Sequence, residues 1–559
     1  MKNNIIFRIN ISLLFVFALF MTGCNKNASA PSNEEPKSEI PSGSVIPPEE
    51  TYNIVRPSYT PDYENYGVSA TPSGVNMTYY SDIYSRGFSW LTDAETTETE
   101  LYLVKSDKGE QADFAGATKI TGNSLLLSYD TSGNITAEGL PAAKGSGNAS
   151  ATTLMSHKAH VENLEKGKAY SYKIGSEAGY TYGAFIVEKD KPKEITAVHM
   201  SDAQTRNLNK TNVWRNTFVK SVETAGKGLD MALYNGDQFD QNNRTESSSK
   251  DNTPFRLFRY SKAIDVIQDY KFDIPYMTSS GNHEPSSPYS HYLMGDIDYA
   301  GFDYKGCYYS YNYEFAHFIV LNANTIDDAQ INWLKEDLDN EAYDATWKIV
   351  MLHIAPYSTG DHSNDSENQN IVKKLTPIFS EYHVDLVLQA HDHTYNKTLP
   401  YRWDSAGYTE TYGNDEVVNL EPQTEKIGNV DFDKNPEGTY YVTTGAAGHR
   451  CGEEESDGRW AEVIKDGESW KGLDSSKTFL NNKYKIELGG LKYANQYKSY
   501  QTGSYTSAQD YQVGDLATGN VNAQMFGVLK LSENTMSYEV YTVNGDTVKL
   551  FDSVDVLKA

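Results

Sequence analysis

The stretch MALYNGDQ, residues 231–238, joins four apolar residues to a polar turn that contains Asp237. A short apolar run that ends in a turn signal is typical of a buried strand. Helical patterns lie on both sides of it, over residues 213–222 and 255–267. Strands that alternate with helices predict a layered α/β sheet, in which ligands gather at the carboxyl ends of the strands. Asp237 is therefore a candidate ligand-binding residue.

Four further apolar runs end in the same way, each in a turn with a carboxylate, an amide or an imidazole. These turns supply Asp202 and Gln204, Asn282 and His283, His353, and finally His391 and His393. One Asp or His after a strand usually caps a turn or lies on the surface. Five such turns in sequence order favour a shared metal site. Because the donors are oxygen and nitrogen without a thiolate, Fe, Mn or Zn are expected.

The preceding part of the chain, residues 51–190, has a different pattern. Short alternating segments are separated by Gly, Asn and Ser, and no helical periodicity of useful length competes with them. This pattern predicts an antiparallel β-sandwich. Leu164 followed by Tyr170 and Tyr172 resembles the tyrosine corner of immunoglobulin and fibronectin type III folds, with Trp90 as a core residue.

Four histidines lie away from the strand ends. Because no further ligand types surround them, we expect His157 and His160 to lie on the surface. His199 and His317 fall within apolar runs, and we expect both to pack within a sheet.

The composition excludes some classes of function. The chain has 559 residues and a formal net charge of −27, with 76 Asp and Glu against 49 Lys and Arg. A surface of that sign repels a phosphate backbone, so nucleic acid is not expected as a partner. Three cysteines are too few for a disulfide scaffold or a cysteine-based zinc module. Cys307 and Cys451 either form one disulfide or remain separate, and the sequence leaves both possibilities open.

The N-terminal residues resemble a bacterial lipoprotein signal. A mostly apolar stretch over residues 11–21 has about half the ~20 residues needed to span a bilayer. It leads to Cys24, which the resemblance makes the lipidated residue. We expect a signal peptide over residues 1–23, a solvated tether over residues 24–50, and an exported protein. Its lipid anchor would hold it at the bacterial cell surface or the periplasmic face of a membrane. An ordinary secretory signal with an incidental cysteine is the alternative.

The ordered turns resemble those of the calcineurin-like metallophosphoesterases, and specifically of the purple acid phosphatase branch. The resemblance implies that the sandwich is followed by a four-layer α/β/β/α catalytic domain over residues 191–559, with an insertion at about 453–515. It also implies two divalent or trivalent metal ions, a combination of Fe, Mn or Zn. The metal ligands that it implies are Asp202, Asp237, Asn282, His353, His391 and His393.

The resemblance also implies a role for each side chain. Asp202 and His393 would bind the first metal, and Asp237 would bridge the two. The second metal would be bound by Asn282, His353 and His391. His283 would be a catalytic acid or an orienting histidine, and His362 resembles the histidine on the substrate side.

Two positions depart from the family pattern. Purple members have a metal-binding Tyr where this chain has Asp240, so we expect no purple colour, and a fixed Fe(III) is in doubt. Related enzymes have a His where this chain has Gln204, whose amide oxygen is a weaker ligand than imidazole. Gln204 and Asp240 are both possible metal ligands, and the sequence does not decide between them.

The implied activity is hydrolysis of a small phosphate monoester, with a metal-bridging hydroxide attacking phosphorus in line. A phosphodiesterase or nucleotide hydrolase that uses the same site is the nearer alternative. A non-catalytic protein that binds a partner at the cell surface is a more distant one.

Overall fold

The computed structural model describes a large part of one compact unit, Tyr52–Ala559. The described residues are 52–57, 60, 68–129, 135–136, 152–205, 208–239, 256–284, 294–303, 306–357, 362, 365–393, 395–398, 400–403, 417–419, 422–448, 464–466, 469–471 and 524–559. Within them, no helix is both long enough and apolar enough to cross a bilayer.

Several predictions fall outside the described residues and stay predictions. They concern the signal peptide, the tether with Cys24, the possible ligand Asp240, Cys451, and the expected insertion apart from two short strands. Cys307 is described and buried, with its Sγ 3.7 Å from Met294 Sδ. Because Cys451 lies outside the described residues, its pairing with Cys307 stays a prediction.

The N-terminal part of the unit is a β-sandwich of nine described strands. They are β1 (Ser73–Thr78), β2 (Arg86–Asp93), β3 (Glu100–Lys105), β4 (Thr118–Thr121), β5 (Asn123–Tyr129), β6 (Ile135–Thr136), β7 (Thr152–Val161), β8 (Ala169–Ser176) and β9 (Gly179–Ile186). One sheet has the order β1-β2-β7-β5-β6 and the other β4-β3-β8-β9. Buried side chains of both sheets, among them Trp90 and Tyr172, form the core between them. Tyr170 Oη accepts a hydrogen bond from the N–H of Glu165, 3.3 Å away. The assignment to the fibronectin type III class stays a prediction.

The expectation that His157 lies on the surface is wrong. Its ring is fully buried, stacks on Trp90 and lies 2.7 Å from both Thr92 Oγ1 and Thr99 Oγ1. Burial lowers the pKa of His157 to about 4. The sequence pattern did not show this, because the burial comes from strand β7 lying between β2 and β5. His160 remains partly exposed.

The rest of the unit contains two larger sheets and five described helices. The strands are β10 (Glu194–Met200), β11 (Met231–Asn235), β12 (Tyr276–Ser279), β13 (Gly301–Asp303), β14 (Gly306–Tyr313), β15 (Ala316–Val320), β16 (Trp347–Ile354), β17 (Leu386–Ala390), β18 (Tyr395–Lys397), β19 (Tyr401–Trp403), β20 (Val417–Asn419), β21 (Gln423–Ile427), β22 (Val430–Lys434), β23 (Tyr440–Thr444), β24 (Ile464–Asp466), β25 (Ser469–Lys471), β26 (Gln524–Ser532), β27 (Thr535–Asn544) and β28 (Thr547–Leu557). The helices are α1 (Leu208–Ala225), α2 (Arg256–Asp265), α3 (Gln268–Lys271), α4 (Asp328–Asn340) and α5 (Ser366–Glu381).

These elements form four layers. The first sheet has the order β12-β11-β10-β26-β27-β28-β22-β21, and the second has the order β13-β14-β15-β16-β17-β23-β18. The largest hydrophobic cluster contains buried side chains from both sheets. Trp214, Phe218 and Ile264 from α1 and α2 pack against the first sheet, whereas α4 and α5 pack against the second. This is the α/β/β/α arrangement that the family resemblance implies, and it includes the layered α/β sheet that the sequence pattern predicts.

One side chain joins the two sheets where the parallel strands end. Asn235 is the last residue of β11, and its Nδ2 donates to the carbonyl oxygens of Leu352 in β16 and Leu388 in β17, each 3.0 Å away. Its own Oδ1 accepts a hydrogen bond from Ser279. The carboxyl ends of strands from both sheets are therefore held together at one place.

Candidate metal centre

The structure brings the six predicted metal ligands to this junction. Asp202, Asp237 and Asn282 follow β10, β11 and β12, while His353 lies near the end of β16 and the last two histidines follow β17. Ligand atoms of Asp237, His353 and His391 lie within 4.8 Å of one another.

The centre of the cluster is the side chain of Asn282. Its carboxamide lies 3.0 Å from His353 Nε2 and 2.9 Å from His391 Nδ1. It also lies 3.1 and 3.3 Å from the two carboxylate oxygens of Asp237. A carboxamide can meet such a set of lone pairs by donating from its NH₂ group, or by turning its oxygen inward to share a cation with them. The donor set therefore fits a metal ion.

The orientation of His353 supports this fit. Its Nδ1–H donates to the carbonyl oxygen of Asn235 at 2.7 Å, which directs Nε2 towards the cluster. Burial opposes a charge on this ring, but Asp237 and Asp202 overcome that effect and raise the pKa of His353 to about 10. The two carboxylates thus create a negative potential at this ring, and that potential also favours a metal cation beside it.

A second corner of the cluster is formed by Asp202 and His393. Asp202 is fully buried, and its Oδ2 accepts a hydrogen bond from the backbone N–H of His391. Its Oδ1 has no hydrogen-bond partner among the described residues, and His393 Nε2 lies 3.4 Å from it. A buried carboxylate oxygen without a donor is costly. The pair therefore fits a second metal ion beside the first.

Gln204 lies in the cluster, and its amide nitrogen, not its amide oxygen, faces the carboxylate of Asp237. Its Nε2 donates to Asp237 Oδ2 at 3.0 Å, so in this structure the amide orients the carboxylate. Asp240 lies outside the described residues. Both therefore remain possible ligands.

The two predicted catalytic histidines lie beside the metal ligands and are partly exposed. The backbone N–H of His283 donates to Asp237 Oδ1, and its Nε2 lies 3.7 Å from Asp237 Oδ2. The ring of His362 lies 4.1 Å from that of His391, between centroids, and its Nδ1 lies 2.7 Å from Asp365.

Four residues of the cluster have backbone angles that L-amino acids rarely adopt. The φ values are 54° at Asp202, 41° at Gln204, 56° at Asp237 and 72° at His391. Such residues persist only where their surroundings hold them, and they concentrate at functional sites. Hydrogen bonds between the turns after β10 and β11 hold the first three residues: the N–H of Asp202 donates to Gly236, and that of Gln204 donates to Asp237. The N–H of His391 donates to Asp202 Oδ2.

The sequence analysis missed Glu284. Its carboxylate is buried and accepts hydrogen bonds from the N–H groups of Asp237, Gln238 and Gly281, between 2.6 and 2.8 Å long. Burial, reinforced by the charge of Asp237, raises the pKa of Glu284 to about 7. Glu284 belongs to the same turn as Asn282 and His283, but its role depends on a second turn that no local pattern places beside it.

Residues 195–395, which contain all six predicted ligands, match the sequence model of the calcineurin-like phosphoesterases. The chain carries a calcineurin-like metallophosphoesterase domain. Enzymes of this family use dinuclear metal centres, in agreement with the two adjacent ligand sets described above.

The chain is also similar to named phosphatases. It is 26% identical to acid phosphatase type 7 of Danio rerio over 322 residues, which are 53% of this chain and 65% of that protein. It is 28% identical to the Homo sapiens protein of the same name over 204 residues, which are 33% and 42% of the two chains. The matches thus span less than two thirds of these relatives.

A solved structure shares the fold. The purple acid phosphatase isolated from yellow lupin seeds superposes with a TM-score of 0.55 at 13% identity, over 87% of this chain and 74% of that chain. At that identity the likeness concerns the fold alone.

Proposed function

We propose that this protein is a metal-dependent phosphomonoesterase that cleaves small phosphate esters at the cluster around Asp237. The supporting observation is that Asn282, His353 and His391 meet the Asp237 carboxylate on one side, while Asp202 and His393 form a second ligand pair nearby. A carboxylate between two ligand sets suits two cations. The similarity to acid phosphatases supports the same activity.

Two metal ions, a combination of Fe, Mn or Zn, would supply Lewis-acid activation of the ester and of a water molecule. Asp202 and His393 would hold one of them, and Asn282, His353 and His391 the other. The remaining contacts orient these ligands: Asn235 fixes the ring of His353, and Gln204 fixes the carboxylate of Asp237.

The partly exposed histidines suit roles towards the substrate. His283 is tied to Asp237 through its backbone, so its ring remains next to the ligands, where it can donate a proton to the leaving alcohol oxygen. His362 is held by Asp365 beside His391, where its ring can contact a bound phosphate group.

The test is metal content and turnover of the soluble chain. We expect about two metal ions per chain and faster cleavage of p-nitrophenyl phosphate than of its bis-ester. Asp237→Asn should lower kcat/KM for the monoester by at least about 10³-fold and reduce the metal content. Asp269→Asn, which disrupts an ion pair with Arg215 outside the cluster, is the control and should retain both.

Other results of these assays would support a different function. Preference for the bis-ester would contradict the monoesterase and favour a phosphodiesterase. Absence of metal under every loading condition, with neither ester cleaved, would overturn the enzyme proposal and favour a surface-binding protein.

A further inference from the structure

We propose that the β-sandwich positions the turn with Asn282 and His283 by holding residues 294–299, which pack against the end of β12. The proposal goes beyond the phosphatase activity, because it assigns a role to the N-terminal domain.

The first contact runs through Met294. Its carbonyl oxygen accepts hydrogen bonds from Asn76 in the sandwich, at 2.8 Å, and from Thr278 in β12, at 3.3 Å. Its sulfur lies 3.2 Å from the hydroxyl of Ser280, the residue before Gly281. One residue thus touches both the sandwich and the strand that leads into the metal-ligand turn.

The next two residues are held from β7 and again from β1. Lys158 Nζ in β7 donates to the carbonyl of Gly295 at 2.7 Å, and Thr78 Oγ1 in β1 donates to the carbonyl of Asp296 at 2.8 Å. The carboxylate of Asp296 pairs with His160 Nδ1 at 2.9 Å. Polar side chains of the sandwich therefore hold the backbone of this segment directly.

The sandwich and residues 294–299 approach each other too closely for an additional side-chain atom. A Cβ on Gly87 in β2 would lie 1.7 Å from the carbonyl oxygen of Asp296, and a Cβ on Gly295 would lie 2.4 Å from Thr78 Cγ2. Such spacing requires glycine on each side of the contact. The interface is therefore closely fitted as well as hydrogen-bonded.

The position of β12 explains why this support matters. Among the described strands, β12 is the edge of the first sheet and pairs only with β11. The turn that it carries thus has strand support on one side only. Residues 294–299, held by the sandwich, contact β12 through the Thr278 hydroxyl and the following turn through the Ser280 hydroxyl.

The test uses Thr78→Val, which removes the hydroxyl but keeps the shape, alone and combined with Lys158→Met. We expect amide hydrogen exchange over residues 276–284 to rise about fivefold in the single variant and about tenfold or more in the double variant. Exchange in β8 and β16 should not change. Affinity for the more weakly bound metal, titrated without substrate, should fall by a similar factor.

Matched controls separate positioning from general weakening. Thr181→Val and Lys173→Met remove a hydroxyl and an ammonium group from other places in the sandwich. Thr181 donates to the carbonyl of Pro72, and Lys173 lies over the ring of Tyr102, so neither contact involves residues 294–299. These controls should leave residues 276–284 unchanged, and Thr78→Ser should restore wild-type exchange. Unchanged exchange at 276–284 in both test variants, or faster exchange confined to the sandwich, would overturn the proposal. Because these measurements need no turnover, they stand apart from the phosphatase assay.

Discussion

At the scale of single residues, the Asp237 carboxylate connects the whole site. Its Oδ1 accepts the N–H of His283, its Oδ2 accepts the amide of Gln204, and the side chain of Asn282 lies against both oxygens. Burial alone would raise the pKa of Asp237, but three nearby histidines overcome this effect and keep the pKa well below its usual value. A carboxylate held ionised in a buried site is a suitable bridge for cations.

Glu284→Gln tests how this carboxylate is held. Oε2 of Glu284 accepts two backbone N–H groups and Oε1 accepts one. In Glu284→Gln, the new NH₂ group replaces one of these oxygens and would face a backbone N–H from which it cannot accept a hydrogen bond. We expect the free energy of unfolding to fall by about 1–3 kcal/mol and metal affinity to fall about tenfold or more. Urea unfolding and metal titration measure the two effects.

The control for Glu284→Gln is the same substitution at the exposed Glu177. Glu177→Gln removes the same charge but no buried hydrogen-bond acceptor. It should change neither the free energy of unfolding nor the metal affinity. Wild-type stability together with wild-type metal affinity in Glu284→Gln would show that the three hydrogen bonds do not support the site.

At this scale, local sequence patterns suggest only those residues whose position depends on their own strand. Asp202, Asp237 and His391 each follow an apolar run, so local patterns suggested them as ligands. The role of Glu284 depends on N–H groups from two turns, and the direction of the Gln204 amide depends on Asp237. Neither contact produces a pattern among neighbouring residues of the sequence.

At the scale of elements, the turns after β11 and β12 touch through glycine. A Cβ on Gly281 would lie 2.2 Å from Asp237 Oδ1 and 2.3 Å from Asp237 N. Gly281→Ala should therefore push the two ligand turns apart. We expect metal binding and monoester turnover to fall at least about 100-fold, with a loss of about 1–3 kcal/mol in the free energy of unfolding.

Gly116→Ala is the control for this steric effect. Gly116 has a φ of 79° and no heavy atom within 4 Å of an added Cβ, so the substitution strains the backbone without a collision. It should cost about 1 kcal/mol of stability and leave metal content unchanged. Equal loss of metal in both variants would argue against the close approach of the two turns.

The elements themselves were partly visible in the sequence. The apolar run before Asp237 forms β11, and the helical pattern over residues 255–267 contains α2. The short α3 lies beyond that pattern. The pairing of β26 beside β10, in the middle of the first sheet, joins residues more than 300 positions apart. Local periodicity contains no information on such a partner.

At the scale of the whole molecule, a buried ionic network joins the sandwich to the part that contains the metal-ligand cluster. Arg86 pairs with Glu188 at 2.7 Å, and Tyr79 donates to the same carboxylate. Tyr79 also lies within 3.4 Å of the carbonyl of Asp230, whose carboxylate accepts the hydroxyl of Tyr313 in the second sheet. Breaking one partner of a buried pair is costly. We therefore infer that the sandwich and the metallophosphoesterase domain move as one body.

If the two parts move as one body, a loss of sandwich stability in acid should also destabilise the metal centre. His157 is buried, and its pKa is about 4 when folded against about 6.5 when unfolded, so the unfolded chain binds the proton first as the pH falls. Its contribution is complete above pH 6.5 and is lost as the pH falls to about 4. Across that window His157→Gln, which cannot titrate, should lose about 2–3 kcal/mol less stability than the wild type. Urea unfolding followed by tryptophan fluorescence measures this, with His383→Asn at an exposed histidine as the control. Equal losses in wild type and His157→Gln would place the acid sensitivity elsewhere.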